Sequence, residues 1–478
     1  MEKTERNETR VERDSMGEMA VPAHALHGAS TQRAVLNFPI SSLRFPRRFI
    51  KALGQVKLAA AQTNAELGLI EPDAARAIEA AAREVIDGKH DEHFVVDIFQ
   101  TGSGTSTNMN ANEVIAHVAS ARAESSAGPG AAKKIHPNDH VNFGQSSNDV
   151  IPTALYVAAA SAIKEDLLPA LELLKNSLET KTKEFWPIVK TGRTHLQDAT
   201  PIRLGQEFLG YAGQIERGIA RARSAQAELS EVALGGTAVG TGINTHPEFA
   251  KRSTARLSQM TGLEVRETTN HFQAQSSLDN GVAASGALKT LAVSLSKIAN
   301  DVRWLASGPR AGLGELELPA VQPGSSIMPG KVNPVIIESV LMACTQVIGN
   351  DTAITAGGLN GNFEINLSMP LVAYDLLQSI DLLANASKNF ARQCVDGIKA
   401  TDKGPAMVER GLAVGTSLAP IIGYDAAAAI VKEAAATGKT IREVARERTK
   451  LTEAELEKIL DPALMTEPSA DRVGAGGG

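Results

Sequence analysis

Four short polar segments interrupt a sequence of 478 residues that otherwise favours helices. In chain order they are TGSGTSTNMNANE (residues 101–113), HPNDHVNFGQSSND (136–149), GRTHLQDATP (192–201) and GSSIMPGKVNP (324–334), and we number them the first to fourth polar segments. Together they supply hydroxyls, amides, histidines and a lysine beside glycine. Donors of this kind suit the binding of a small anion. The chemistry that they predict is the recognition of carboxylates.

The fourth polar segment is the hardest to explain as a helix cap alone. Pro334 suits the first position of the following helix, and Asn333 suits its N-cap. Lys331 and Asn333 would then lie at the positive end of that helix, where backbone N–H groups are free to bind a carboxylate. Glu338 is explained equally well as a helix-start acid and as a partner for another side chain.

The other polar segments have structural explanations as well. Residues 101–112 are typical of a helix start with capping hydroxyls and amides, and residues 146–149 are typical of an N-cap before the helix that contains Pro152. A single histidine such as His195 is more often a satisfied polar residue than a catalyst. LGGTAVGTGIN (234–244) has the glycines of a dinucleotide-binding loop, but no βαβ pattern surrounds it, so nucleotide binding is not expected.

Long helices must position these segments. The composition, 43% hydrophobic but only 4% aromatic, favours an all-α fold. Apolar residues recur at intervals of three and four along the central part of the chain. The clearest stripes are Leu167, Leu171, Leu174 and Leu178, then Leu288, Leu291, Leu295, Ile298, Val302 and Leu305, then Ile336, Val340, Ala343 and Val347. Pro169 predicts a kink or a helix restart within the first stripe.

Three helical domains are predicted. They are residues 1–145, a central long-helix domain at 146–402, and a small domain at 403–478, which ends in a GAGGG sequence expected to be flexible. The central helices are longer than the usual 11 or so residues, and one chain has too few of them to cover every apolar stripe. A bundle shared between subunits is therefore predicted.

Charge and cysteine usage exclude several classes of function. The net charge of -6 arises from 48 basic and 54 acidic residues of mixed order, so no basic face for nucleic acid or anionic lipid is expected. Cys344 and Cys394 fit no zinc spacing, cannot hold an iron–sulfur cluster, and are predicted to be core residues. The first nineteen residues lack the features of a signal or transit peptide, and no uninterrupted apolar run is expected to span a bilayer. A cytoplasmic protein is predicted.

GSSIMPGKVNP resembles the signature of the fumarase/aspartase superfamily, and the other polar segments match conserved blocks of class II fumarases. The resemblance extends from DSMGEMAVPAHALHGASTQRAVLNFPIS to the carboxy-terminal domain. Aspartases typically carry alanine where this loop has Gly330, and GNFEIN (361–366) is also similar to fumarases. Fumarase is therefore favoured over an ammonia-lyase, and over a non-catalytic protein of the same fold such as a lens crystallin. One departure is ALHGAST (25–31), where the family usually has tryptophan or tyrosine at the position of His27.

The resemblance implies a fold and an activity. The family has three helical domains, and the central domains of four subunits form one helix bundle in a homotetramer. Each active site is built from segments on three chains. The expected activity is that of a hydro-lyase of the tricarboxylic acid cycle. It is the reversible, stereospecific hydration of fumarate to L-malate, without a metal ion or other cofactor and without a nucleic acid or membrane partner.

The resemblance also assigns roles to residues. Ser325 matches the base that removes the carbon-bound proton, His195 the acid that protonates the departing hydroxyl through a water, and Glu338 a partner that orients this histidine. The serine alkoxide would need support from loop N–H groups and Lys331. The residues matched to substrate and enediolate-like intermediate binding are Ser103, Gly104, Thr105, Ser146, Ser147, Asn148, Thr194, Ser326, Lys331 and Asn333. A secondary dicarboxylate site matches His136, Pro137, Asn138 and Asp139, which a simple turn explains equally well.

Overall fold

A computed structural model describes residues 8–127, 134–470 and 473. The chain is mostly helical, with 63% helix and 8% strand, which confirms the predicted all-α class. The terminal GAGGG, predicted to be flexible, lies outside the described residues. Within the described ranges the α-helices are α1 Ala29–Asn37, α2 Arg47–Glu66, α3 Pro72–Ile86, α4 Thr105–Ala127, α5 Ser147–Ala162, α6 Leu168–Phe185, α7 Leu204–Leu229, α8 Phe249–Thr261, α9 His271–Ser276, α10 Asp279–Leu305, α11 Val335–Gly358, α12 Met369–Gln393, α13 Lys403–Val408, α14 Ala419–Ile422, α15 Tyr424–Thr437, α16 Ile441–Arg448 and α17 Glu453–Ile459.

Short strands pair only in twos within the described ranges. The antiparallel pairs are β1 Thr9–Asp14 with β2 Gly17–Pro22, β3 Val189–Thr194 with β4 Gln197–Arg203, β7 Leu316–Glu317 with β10 Lys399–Ala400, and β8 Gly361–Asn362 with β9 Ile365–Asn366; the parallel pair is β5 Glu231–Val232 with β6 Arg266–Glu267. The glycine-rich sequence at 234–244 is a loop between β5 and α8. β5 and β6 pair in parallel on either side of α8, but each has only two residues, so the described residues form no extended parallel sheet of the kind that binds a dinucleotide.

The chain forms two compact units. The first comprises Met1–Pro169, Ile219–Ala292 and Ala343–Asn385, and the second comprises Ala170–Gly218, Val293–Met342 and Ala386–Gly478. In the first unit, α2 packs against α3, α5 and α8. In the second, a carboxy-terminal core buries Leu418, Ile430 and Val444. The division into three domains stays a prediction.

The apolar stripes of α6 and α10 are buried as predicted, whereas the stripe of α11 differs by one residue. Ile337, Val340, Cys344 and Val347 are buried, but Ile336 and Ala343 are only partly buried, so the prediction that named them was wrong. The four buried residues are spaced by three, four and three positions, as on one helix face. Ile336 and Ala343 each come one position before a buried residue, so they lie about 100° away around the helix axis.

Pro169 lies at a helix restart, as predicted. A π-helical turn spans Ile163–Leu167, α6 begins at Leu168, and Pro169 is its second residue. Proline is tolerated there because a first-turn residue needs no intrahelical N–H bond.

The two cysteines and helix α10 bear on other sequence predictions. Cys344 and Cys394 are buried, as predicted, and neither takes part in a disulfide among the described residues. Burial raises the pKa of Cys394 to about 12. Among the described helices, α10 is long and apolar enough to cross a membrane by length and composition alone, but Lys289 and Lys297 interrupt it, so it is not the uninterrupted apolar run whose absence was predicted. Its Leu288, Leu295 and Val302 are nevertheless buried within the protein, as in a core helix.

Candidate active site

The first polar segment forms a tight turn that leads into α4. Gly104 has φ +72°, and a Cβ there would lie 2.8 Å from the Ile151 side chain of α5. A Cβ at Gly102 would overlap the backbone oxygen of Leu367, and the Gly102 carbonyl accepts a bond of 3.0 Å from the N–H of Met369. The segment after the GNFEIN hairpin thus packs directly on this turn, and only glycine allows that approach.

Hydroxyl groups of the first and second polar segments meet in one hydrogen-bonded series. The Oγ of Ser103 lies 2.8 Å from the Oγ1 of Thr105, which lies 2.7 Å from the Oγ of Ser147. The Ser147 hydroxyl in turn donates to the Oδ1 of Asn148 at 3.4 Å. Four of the predicted substrate-binding residues are therefore adjacent in the first unit, although 45 positions separate the first from the last in the sequence.

The second polar segment both caps α5 and presents its donors. The Ser146 hydroxyl accepts from the N–H of Asn148, and the Asp149 carboxylate accepts from the N–H of Ser146, which confirms the predicted N-cap as a capping box. The Asp149 carboxylate also accepts from the N–H groups of Gly235 and Thr237. Burial raises the pKa of Asp149, whereas these N–H donors oppose that rise.

Glu113, the last residue of the first polar segment, holds the unusual ALHGAST sequence. Its carboxylate accepts from the N–H groups of Gly28, Ser30 and Thr31 and from the Thr31 hydroxyl. His27 is buried beside this contact, and its Nε2 lies 3.1 Å from the Gln32 amide oxygen. Burial lowers the pKa of His27. His27, which stands where the family usually has tryptophan or tyrosine, is therefore buried just before α1, and its lowered pKa favours the neutral form.

The predicted secondary site has the geometry of a capped turn. Pro137–Val141 is a short π-helical turn, and the Nδ1 of His136 accepts from the N–H groups of Asn138 and Asp139. These are the donors that a carboxylate would use, so a ligand must displace the imidazole to reach them. The turn explanation accounts for the sequence, and dicarboxylate binding there stays a prediction.

The third polar segment forms the β3–β4 hairpin of the second unit. His195 and Leu196 are the two central residues of its turn, with φ values of 57° and 59°. Both have positive φ, as a two-residue type I′ turn requires. Thr194, His195 and Leu196 are exposed at the tip. The hairpin therefore presents the predicted acid to its surroundings rather than burying it in the chain.

A buried group of charges supports this hairpin. The Nζ of Lys190 donates to Glu207 at 2.9 Å and lies 3.0 Å from the Oε2 of Glu315. Arg193 donates to the other oxygen of Glu315. Only 2% of the Lys190 side chain and 5% of the Glu315 side chain are exposed. Neither residue was predicted, because nothing in the local sequence indicates that β3, α7 and the segment before β7 meet.

In the fourth polar segment, Ser325 accepts hydrogen bonds from the loop backbone. Its Oγ lies 3.1 Å from the N of Met328 and 3.3 Å from the N of Ile327. The Gly324 N–H donates to the Lys331 carbonyl at 2.8 Å, which closes the loop at its base. A Cβ at Gly324 would crowd that same carbonyl. The loop thus directs two N–H groups at the hydroxyl predicted to act as base.

The remaining residues of the fourth segment differ partly from expectation. The Asn333 amide donates to the Gly324 carbonyl at 2.7 Å, and α11 begins at Val335, so Pro334 rather than Asn333 immediately precedes the helix. The Asn333 N-cap prediction was wrong, because its side chain closes the loop instead. Ser326 and Lys331 are exposed.

Glu338 and His195 are not paired within the chain. Glu338 is exposed in the first turn of α11, and in the described part of the second unit no hydrogen bond joins it to His195. The described residues also include no group of three or more histidine, cysteine, aspartate or glutamate side chains that could hold a metal ion. Among the residues that the resemblance matches to catalysis and substrate binding, the polar segments supply uncharged donors, Lys331 and His195.

Known proteins similar to this chain share its sequence over almost its whole length. A family model described as Lyase matches residues 17–349, and one described as Fumarase C C-terminus matches residues 415–467. A class II fumarate hydratase of Halobacterium salinarum is 56% identical over 458 residues, covering 96% of this chain and 97% of the relative. The chain belongs to the fumarase/aspartase lyase family, as a class II fumarate hydratase. It is therefore a hydro-lyase, and the ammonia-lyase and non-catalytic alternatives are set aside.

Further relatives and solved structures agree with this assignment. A class II fumarate hydratase of Xylella fastidiosa is 50% identical over 470 residues, covering 98% of each chain. The crystal structure of class II fumarase from Schistosoma mansoni superposes with a TM-score of 0.93 at 38% identity, covering 96% of this chain and 99% of that one. A fumarate lyase:delta crystallin structure from Brucella melitensis bound to cobalt has a TM-score of 0.91 at 46% identity, covering 96% and 100%.

Proposed function

We propose that this class II fumarate hydratase interconverts fumarate and L-malate stereospecifically and without a metal ion, as the hydratase of the tricarboxylic acid cycle in the cytoplasm. Ser325 is the base, His195 the acid and Glu338 the partner of His195. The observation that carries the proposal is the pair of backbone N–H groups that point at the Ser325 hydroxyl. A neutral serine is too weak a base for a carbon-bound proton, so its alkoxide needs such donors.

In the direction of malate dehydration, Ser325 takes a proton from the carbon beside one carboxylate. The electron pair moves into that carboxylate, which gives an enediolate-like intermediate with three negative charges. The hydroxyl on the neighbouring carbon then leaves as water with a proton from His195. Since charge accumulates on the substrate during the first step, preorganised donors near that carboxylate are the main requirement. Lys331 supplies a full positive charge from the same loop as the base.

The hydroxyl series of the first unit supports the binding half of this proposal. Ser103, Thr105, Ser147 and Asn148 converge without a charged side chain among them. Hydroxyls can rotate to donate to a carboxylate, and the capping box holds the second segment in place. We therefore assign substrate carboxylate binding to these residues with Gly104 and Ser146, and to Thr194, Ser326, Lys331 and Asn333 from the other segments.

Exposed apolar surfaces of the long helices support the proposal that the chain assembles as a homotetramer. Val293, Trp304 and Met342 are at least half exposed on α10 and α11, although they are large and apolar. Burial of such side chains is favourable by about 25 cal/mol per Å² of apolar surface. His195 and Glu338 are also exposed and unpaired within one chain. We propose that another subunit brings these two residues together and that a third chain completes each site, as the family resemblance implies.

The test of the chemistry is the Ser325→Ala variant, assayed by the ultraviolet absorbance of fumarate formed from L-malate, with and without excess chelator. Turnover should fall by about 10²–10⁴-fold, while the tetramer stays intact. Ser224→Ala is the matched control, because its hydroxyl is exposed on α7 and bonds only to the Ala220 carbonyl of the preceding turn. Near-normal turnover of Ser325→Ala would remove serine from the role of base.

The three-chain site is tested by mixing two inactive variants, His195→Asn and Ser325→Ala, after dissociation and reassembly. If these residues reach one site from different chains, about one quarter of the sites regain both native residues, because each contributing chain is native at its position half of the time. If both residues come from one chain, no activity returns. A monomeric mass at working concentration would also contradict the assembly.

A further inference from the structure

Lys57 on α2 is a fully buried lysine in the first unit. Its residue exposure is 0%, and its Nζ donates to the Asn142 amide oxygen at 2.9 Å and to the Gln145 amide oxygen at 3.0 Å. Lysine is almost never fully buried unless it is paired, because desolvation of the ammonium is costly. Here both hydrogen-bond acceptors belong to the second polar segment, immediately before Ser146.

The two amides that accept from Lys57 also hold the backbone of that segment. The Asn142 amide donates to the Gln145 carbonyl at 3.1 Å, and the Gln145 amide donates to the Val141 carbonyl at 3.1 Å. Asn108 of α4 donates to the same Asn142 oxygen at 3.2 Å. The ammonium therefore closes a small network that determines where residues 142–145 lie. The donors Ser146, Ser147 and Asn148 follow directly in the chain.

Charge also links Lys57 to the site. Burial lowers the pKa of Lys57 to about 7, and the negative charge of Asp149 on α5 opposes that effect. Asp149 is the charged group that acts on Lys57; its carboxylate is held by the N–H groups of Ser146, Gly235 and Thr237. A lysine in this position can gain or lose its proton near neutrality, whereas a solvated lysine stays charged.

We propose that Lys57 is a positioning residue of the active site, which holds the second polar segment in its substrate-binding geometry and favours binding of the dicarboxylate when it carries its proton. This inference rests on the proposed function, because it takes Ser147 and Asn148 as carboxylate donors. Lys57 itself touches only Asn142 and Gln145 among the site segments, so its effect passes through them and through its charge.

The pH dependence has a definite sign. The positive form of Lys57 attracts a dianion, so dicarboxylate binding is tightest below the pKa of Lys57 and weakens as pH rises through 7. By linkage, the bound dicarboxylate raises the pKa of Lys57 to the same extent. A lysine that served only to fill the core would affect stability and leave this dependence on pH unchanged.

The experiment compares Lys57→Met with the native chain, using succinate as a non-reacting dicarboxylate. Succinate binding by calorimetry and the KM for L-malate are measured from about pH 6 to about pH 8.5. At the acidic end, Lys57→Met should bind succinate about tenfold more weakly, the usual scale of such coupling. Its affinity should also change less with pH than that of the native chain. Lys181→Met is the matched control, because Lys181 is also buried, with 7% of its surface exposed, but bonds to Glu184 and the Ile398 carbonyl.

Unchanged succinate affinity and an unchanged pH dependence in Lys57→Met would overturn the proposal. If Lys57→Met does not fold, the succinate affinity of the native protein is the test. An affinity that does not change across the same pH range would equally overturn the proposal. Failure of the proposed function has a different signature: native protein that produces no fumarate from L-malate, or a Ser325→Ala variant with normal turnover. The two hypotheses are therefore separable.

Discussion

Replacement of Glu315 by glutamine should destabilise the hairpin that carries His195. Glu315 is the shared partner of Lys190 and Arg193, which project from β3 just below the His195 turn. Glutamine keeps the shape and removes the charge, so two cations lose their common anion. Breaking a buried pair in this way costs about 3–5 kcal/mol, because the remaining charge is left without compensation.

The expected change in melting temperature follows from chain length. Unfolding entropy is about 2.1 cal/mol/K per residue, which gives about 1 kcal/mol/K for cooperative unfolding of 478 residues. Glu315→Gln should therefore lower Tm by about 3–5 °C. Since the proposed acid His195 lies at the tip of the loosened hairpin, kcat should fall more than the KM for L-malate rises.

Calorimetry and malate kinetics on three variants test this reasoning. Glu207→Gln should have a smaller effect than Glu315→Gln, because Glu207 bonds to Lys190 alone and burial raises its pKa, which already favours the neutral form. Glu453→Gln removes an exposed ion pair with Arg446 and should leave both Tm and kcat unchanged. Native Tm and kcat in Glu315→Gln would refute the role of the buried charges.

Three further substitutions, the last with a control, test Glu338 and the first and fourth polar segments. Glu338→Gln should lower turnover and alter its pH profile, and an unaltered profile would count against pairing with the histidine. Lys331→Ala should raise the KM for L-malate by at least about tenfold, because the substrate loses roughly one charge-assisted hydrogen bond. An unchanged KM together with unchanged turnover would contradict this prediction. Gly102→Ala should reduce kcat/KM, because the new Cβ overlaps the Leu367 carbonyl. Gly210→Ala is the control: its new Cβ meets nothing within 4 Å, so its effect on stability should be neutral or stabilising by about 0.5–1 kcal/mol. Equal effects of the two substitutions would refute the steric argument.

The sequence predicted the features that depend on neighbouring residues. The N-cap at Ser146 depends on Asp149, three positions later. The helix boundary next to Pro169 depends on the backbone N–H that proline lacks. The helical stripes of α6 and α10 depend on spacing alone. The family resemblance added which polar segments are expected to matter, and the structure shows a hydrogen bond between Thr105 and Ser147 of the first two.

Features that depend on distant partners could not be read from the sequence. Lys57 occurs within a helical stretch of ordinary composition, and its importance becomes visible only when Asn142 and Gln145 are placed against it. Glu113 likewise reads as a helical acid until the start of α1 meets it. The Asn333 prediction failed because its side-chain amide can either cap a helix or hydrogen-bond across the loop. In the structure it bonds across the loop, to the Gly324 carbonyl.

The α11 stripe shows how the fold and the site are connected. Met342 lies two positions from both Val340 and Cys344, so it is on a different face of α11 from the buried stripe, and it is 68% exposed. Glu338 begins the same helix and is also exposed without its proposed partner. Because one rigid helix carries both, a subunit that covers the apolar surface of α11 also fixes the position of Glu338. In the proposed assembly, the hydrophobic free energy of subunit association is therefore coupled to the position of Glu338, so the proposed acid His195 could lie on an exposed hairpin and still be oriented.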